Sequence, residues 1–247
     1  MIPILHIGPL AIQFPGLLLL GGIWAATLVI ERTARRKQLD PDALTNLIFT
    51  SLVVGILGAR LGYALNYLDL YLADPGALVS LNLNTLSLPA GLMTGVLAAL
   101  ILVQRKGHPL LTVLDVIAPG LAVFMLAVAL AHIASGDAYG APTHVPWGIE
   151  LWSARRHPSQ FYETLAAGVI TWFMLRAGRH SLPSGVMFFS LIALHAGARL
   201  FLEAFRGDSQ LVFETLRSAQ VVSLVLLLLA LLAIGQLANN HGHHSST

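Results

Sequence analysis

The sequence predicts an all-α polytopic membrane protein with about seven transmembrane helices, its N-terminus outside and its C-terminus in the cytoplasm. Three observations carry this. Of 247 residues, 56% are hydrophobic and 11% charged, with a mean hydropathy of +0.75. That is too apolar for a soluble globule, and the Leu, Val and Ile runs are too long for a disordered chain. Windows of ~19 residues place spans near Gly8–Ile30, Leu44–Leu68, Leu88–Val103, Leu111–Ala134, Phe161–Leu175, Pro183–Phe205 and Ala219–Leu237. Lipid leaves no backbone group to be satisfied from outside, so these runs read as helices. Finally, Arg32, Arg35, Arg36, Lys37, Arg105, Lys106, Arg176 and Arg179 fall in the loops of one side, against Arg155, Arg156, Arg206 and Arg217 on the other. The richer side is cytoplasmic by the positive-inside rule.

Residues 1–238 read as a single transmembrane helical domain and 239–247 as a disordered polar tail. Met1 to His6 has no Lys or Arg, unlike a cleaved signal, so span one is expected to stay attached. With ten His but no Cys, the chain has no disulfide, thiolate metal site or cysteine nucleophile. A net charge of +2 on so few ions gives no basic surface for nucleic acid. Self-similar halves, the mark of an inverted-repeat transporter, are not evident.

Span two contains Gly58-Ala59-Arg60-Leu61-Gly62-Tyr63. An arginine at mid-helix costs about 2.5–3.5 kcal/mol on insertion scales, so something must hold it. It either snorkels to headgroups or forms an anion site, with Gly58 and Gly62 permitting a close helix approach. Spans three and five are short, which tilt or burial would accommodate. In span four, Asp115 suits the dipole of the helix start, and His132, like His195 in span six, is an ionisable group in an apolar run. Each histidine reads as structural or functional.

The connection Ser135–Gln160 is the longest, and its Gly, Pro, Trp, Tyr, Asp and Arg suit an outer-interface loop. Gly136-Asp137-Ala138-Tyr139-Gly140 has the composition of a turn, and Tyr139, Trp147 and Trp152 fit an aromatic belt. His157-Pro158-Ser159-Gln160-Phe161-Tyr162-Glu163 opens span five. Ser159 can cap that helix, Glu163 favours its dipole, and His157 can move protons. In span six, spacings of four and seven put Arg199, Glu203 and Arg206 on one face. They read as a helix-locking ion pair or as a phosphate site. His241, His243 and His244 read as a solvated tail and not a metal site.

These strings, with Ile7-Gly8-Pro9-Leu10-Ala11-Ile12 and Ala219-Gln220-Val221-Val222-Ser223-Leu224, resemble the prolipoprotein diacylglyceryl transferases of bacterial inner membranes over nearly the whole chain. The His157–Glu163 string is the most specific. The resemblance implies transfer of a diacylglyceryl group from phosphatidylglycerol to the lipobox cysteine of a preprolipoprotein, releasing glycerol phosphate, with no cofactor. It implies Arg60, Arg199 and Arg206 near the lipid phosphate and Glu203 orienting an arginine. Tyr63, Gly136, Tyr139 and the residues His157, Ser159, Gln160, Tyr162 and Glu163 would shape the site. The chain departs from the family at Pro15-Gly16, where a Tyr usually precedes the Gly, and at Pro89-Ala90-Gly91 in place of His-Gly-Gly. It departs again at Val128-Ala129-Leu130-Ala131-His132 in place of Gly-Arg-x-Gly. His132, one turn before Gly136, is the candidate to stand in as a catalytic group. The alternative is a non-catalytic phospholipid-binding protein of the same fold.

Overall fold

The computed structural model describes residues 4–7, 10–80, 82, 85–180, 182–212 and 216–244. The chain divides into two compact units, Met1–Thr33 with Leu114–Thr247, and Ala34–Val113.

The first unit opens on an antiparallel hairpin, β1 (Ile4–Ile7) with β2 (Leu10–Gln13), in which Ile4 faces Gln13. The first long helix, α1 (Phe14–Arg36), therefore starts where the hairpin pairing ends, later than the expected Gly8, which lies outside the described residues. Its core is formed by α5 (Leu110–Ser135), α6 (Ser159–Ala177) and α7 (Val186–Leu202), with Ala118 and Ala122 packed among Ile170, Met174, Met187 and Leu191. Small residues on α5 let α6 approach, and Thr171 Oγ1 donates to the Ala122 carbonyl at 2.9 Å, so a buried hydroxyl is satisfied. On α6 the exposed residues Phe161, Leu165, Val169, Trp172 and Phe173 form one apolar stripe, while Ser159, Gln160 and Thr171 are buried. That is the pattern of a helix with lipid outside and polar groups inside.

Asp115, expected to suit the dipole at the start of its own helix, also serves another helix. Its carboxylate accepts from the amides of Gly185 at 2.7 Å and Phe188 at 2.9 Å, so it caps α7. A helix N-terminus has unpaired amides and Gly185, at φ +95°, turns the chain so that they meet the carboxylate. The last helix, α8 (Ser218–His244), packs along α7 and continues into residues 239–244 of the expected tail.

The second unit is built on α2 (Pro41–Asn66) and α4 (Leu88–Arg105). Asp40 caps α2 through the Asp42 amide at 3.0 Å, and Pro41 occupies the first turn, where no amide is lost. A Cβ on Gly58 would meet Thr94 Oγ1 at 2.0 Å and one on Gly62 would meet Ala90 Cβ at 2.3 Å. The close approach expected from these glycines is thus the α2–α4 seam. The expected run to Leu68 breaks at Tyr67, and a short α3 (Leu68–Ala73) follows.

Six described helices, α1, α2, α4, α5, α8 and α7 with its 3-10 extension to Phe205, are long and apolar enough to cross a membrane. The expected fifth span, α6, has 19 residues but is less apolar, because it carries Gln160, Glu163, Thr164 and Thr171.

Candidate active site

Five charged or titratable side chains meet in the first unit around Glu163. The i, i+4, i+7 spacing does set Arg199, Glu203 and Arg206 side by side, with a 3-10 turn (Glu203–Phe205) tightening the end of α7. Arg199 Nη1 donates to Glu163 Oε1 at 3.1 Å and its Nη2 lies 3.0 Å from Glu203 Oε2. Arg206 Nη1 donates to the same Glu163 oxygen at 2.6 Å. The other oxygen, Oε2, is 3.5 Å from His132 Nδ1. Glu163 therefore joins α5, α6 and α7.

The two arginines differ in what they leave open. The Arg206 side chain is only 10% exposed, and its Nε and Nη2 grip Asp208 at 2.9 and 2.6 Å. Each of its three nitrogens thus donates to a carboxylate. Burial works against the Arg206 charge, yet Asp208 and Glu163 outweigh it and hold its pKa above the ordinary arginine value. Arg199, with the same Glu163 contact, keeps 38% of its side chain exposed. Glu203 is buried beneath it. Arg217 reaches back to the turn, donating to the carbonyls of Glu203 and Arg206 and to Ser209 Oγ. Three arginines thus balance the carboxylates of Glu163, Glu203 and Asp208, so no uncompensated negative charge opposes an incoming anion.

The loop Gly136–Gly140 forms the floor of the turn. Gly207 donates to the Tyr139 carbonyl at 2.9 Å and Ala141 to the Phe205 carbonyl at 2.8 Å, which fixes the chain carrying Arg206. Gly140 is required here, because a Cβ would lie 2.0 Å from the His157 carbonyl oxygen. The antiparallel β3 (Ile149–Leu151) and β4 (Ala154–Arg156) stand beside it. The Arg156 guanidinium lies 4.9 Å from the Tyr139 ring centroid and donates to the Gly140 carbonyl at 3.2 Å. Trp152 Nε1 donates to the Gly136 carbonyl.

Ser159 is not a cap. Its hydroxyl donates to the Ala138 carbonyl at 2.6 Å, tying the start of α6 to the loop, and Pro158 holds the cap position without a side-chain bond. Gln160 is fully enclosed. His157 packs edge-on to Phe205 at 5.2 Å, with Tyr162 6.4 Å away. Tyr162 Oη accepts from Trp147 Nε1 at 2.7 Å.

Arg60 and Tyr63 belong to the second unit. Arg60 Nε donates to the Leu78 carbonyl at 3.1 Å and Nη1 to those of Asn82 and Thr85 at 3.3 and 3.1 Å, so this arginine is held by the chain that follows α3. Tyr63 packs on Tyr67 and Tyr71. Sequence reasoning missed Asp208 and Arg217. The signal for Asp208 was its position two residues after Arg206 across a glycine.

The family profile described as prolipoprotein diacylglyceryl transferase matches residues 3–235. The chain is 35% identical to a protein named phosphatidylglycerol–prolipoprotein diacylglyceryl transferase from Geobacter sulfurreducens, over 83% of this chain and 82% of that one. It is 31% identical to one of the same name from Gloeobacter violaceus, over 90% and 87%. A third, from Lactobacillus gasseri, is 26% identical over 90% and 84%. With the family match spanning nearly the full length of a helical, membrane-crossing chain, this protein belongs to the prolipoprotein diacylglyceryl transferase family.

Proposed function

We propose that this chain transfers the diacylglyceryl group of phosphatidylglycerol to the lipobox cysteine thiol of a preprolipoprotein. It works in the bacterial plasma membrane as a seven-span protein with its N-terminus outside. The observation that carries the reading is Arg199, held on one side by Glu163 and Glu203 and open on the other. A guanidinium so held suits a phosphate oxygen, and stabilises the negative charge that grows there as the carbon–oxygen bond breaks. Arg206 acts differently, as the residue that fixes Glu163. The absence of cysteine from the chain agrees with a reaction whose sulfur comes from the acceptor.

The test is purified protein in phosphatidylglycerol vesicles with a lipobox peptide. A thioether-linked diacylglyceryl peptide with release of glycerol phosphate is expected. Normal lipid binding without product would overturn the reading and leave a phospholipid-binding protein.

A further inference from the structure

We infer that His132 is a catalytic residue, the general base that takes the proton of the acceptor thiol, and that Glu163 is its orienting partner. The inference rests on the transferase reading above and deepens it. His132 Nδ1 is enclosed and faces Glu163 Oε2 at 3.5 Å, while the side chain as a whole stays 34% exposed. The open part of the ring is therefore the edge away from Glu163. A carboxylate beside Nδ1 selects the tautomer that carries its proton there, and leaves the Nε2 lone pair on the open side. The 3.5 Å separation is at the outer limit of a hydrogen bond, the loose geometry common in catalytic pairs without substrate.

The surrounding groups narrow the choice of base. Glu163 and Glu203 are each already engaged by arginine nitrogens, Glu163 by Arg199 and Arg206 and Glu203 by Arg199. His157 faces the rings of Phe205 and Tyr162, and no carboxylate pairs with it among the described residues. The charged groups facing the His132–Glu163 pair are Arg199 on α7, Glu203 in the 3-10 turn that follows and Arg206 just beyond it. Arg199, the open arginine, shares the Glu163 carboxylate with His132. One carboxylate thus holds both the group that takes a proton from sulfur and the group that meets the phosphate.

The thiol proton passes to His132 Nε2, and the sulfur pair forms the carbon–sulfur bond to the diacylglyceryl methylene. The carbon–oxygen bond breaks with its electrons staying on phosphate, and glycerol phosphate leaves. The proton held by His132 then passes to the departing phosphate or to water.

The test compares wild type, His132→Gln and His132→Ala in the peptide assay at pH 7 and pH 9. At pH 7, H132Q is expected to lose about 100-fold in kcat, the usual size of a general-base contribution, with KM for phosphatidylglycerol unchanged. At pH 9 the thiol ionises by itself, free cysteine having a pKa of about 8.5, and the deficit shrinks at least about tenfold. In H132A, added imidazole restores part of the rate, which a purely structural role would not allow. A variant within about threefold of wild type at pH 7 overturns the inference, as does a deficit equal at both pH values with no imidazole rescue. If H132Q does not fold, the H132A rescue decides alone. Failure of the wild type to form product refutes the transferase reading and the base together, whereas an active wild type with an equally active H132Q refutes the base alone.

Discussion

Arg206 and Asp208 form a two-pronged ion pair, Nε to Oδ1 at 2.9 Å and Nη2 to Oδ2 at 2.6 Å, within a turn closed by Gly207. The pair fixes the guanidinium plane, and so aims Nη1 at Glu163. Asp208→Ala leaves a nearly buried arginine short of one carboxylate. We expect a loss of about 1–3 kcal/mol in stability, read as a lower Tm in detergent. Transferase kcat should fall about tenfold, because Glu163 loses a fixed neighbour. Unchanged Tm and kcat would mean that Asp208 is an ornament of the turn.

The sequence made part of this arrangement readable. Helical spacing alone places Arg199, Glu203 and Arg206 on one face, and the structure pairs them. Glu163 and His132 lie on other helices, and only packing of α5 and α6 against α7 brings them in. Composition and periodicity describe each helix face but not which face meets which. Ser159 was misread for a related reason. Its local position favours a cap, and a distant carbonyl, Ala138, takes the hydroxyl instead. Asp115 likewise carries a contact that local position does not reveal, since it caps a helix some 70 residues away.

Arg199→Ala should weaken binding of phosphatidylglycerol about tenfold, as expected for one lost charge-assisted contact to phosphate. Arg105→Ala, on an exposed residue at the end of α4, should leave binding unchanged. Vesicle titration with each variant provides the measurement. Equal effects would show that the lipid phosphate sits elsewhere.

Gly140→Ala tests the floor of the turn. The added methyl would sit 2.0 Å from the His157 carbonyl oxygen, a backbone atom that cannot swing aside. Moving it disturbs the strand-like contact of Gly140 with Arg206. The cost should be at least about 2 kcal/mol, with a matching loss of activity. Gly168→Ala is the control, because a Cβ at that helical position meets nothing within 4 Å. It should leave Tm the same or slightly raised.

Asp115→Ala separates the cap of α7 from the chemistry of the cluster. The carboxylate is buried and accepts from two amides, those of Gly185 and Phe188. Removing it leaves both donors at a buried helix start with no acceptor from residue 115. The loss should be about 1–3 kcal/mol. Arg199 stands at the opposite end of the same helix and Glu203 just after it, so the ion pairs around Glu163 survive as long as α7 stays formed. A folded Asp115→Ala sample should therefore show a lower Tm with kcat within about twofold of wild type, since stability and transition-state contacts are then altered at separate sites. A large drop in kcat at a temperature where the variant is fully folded would mean that fraying at the start of α7 reaches Arg199. The cap would then belong to the positioning of the active site as well as to the fold.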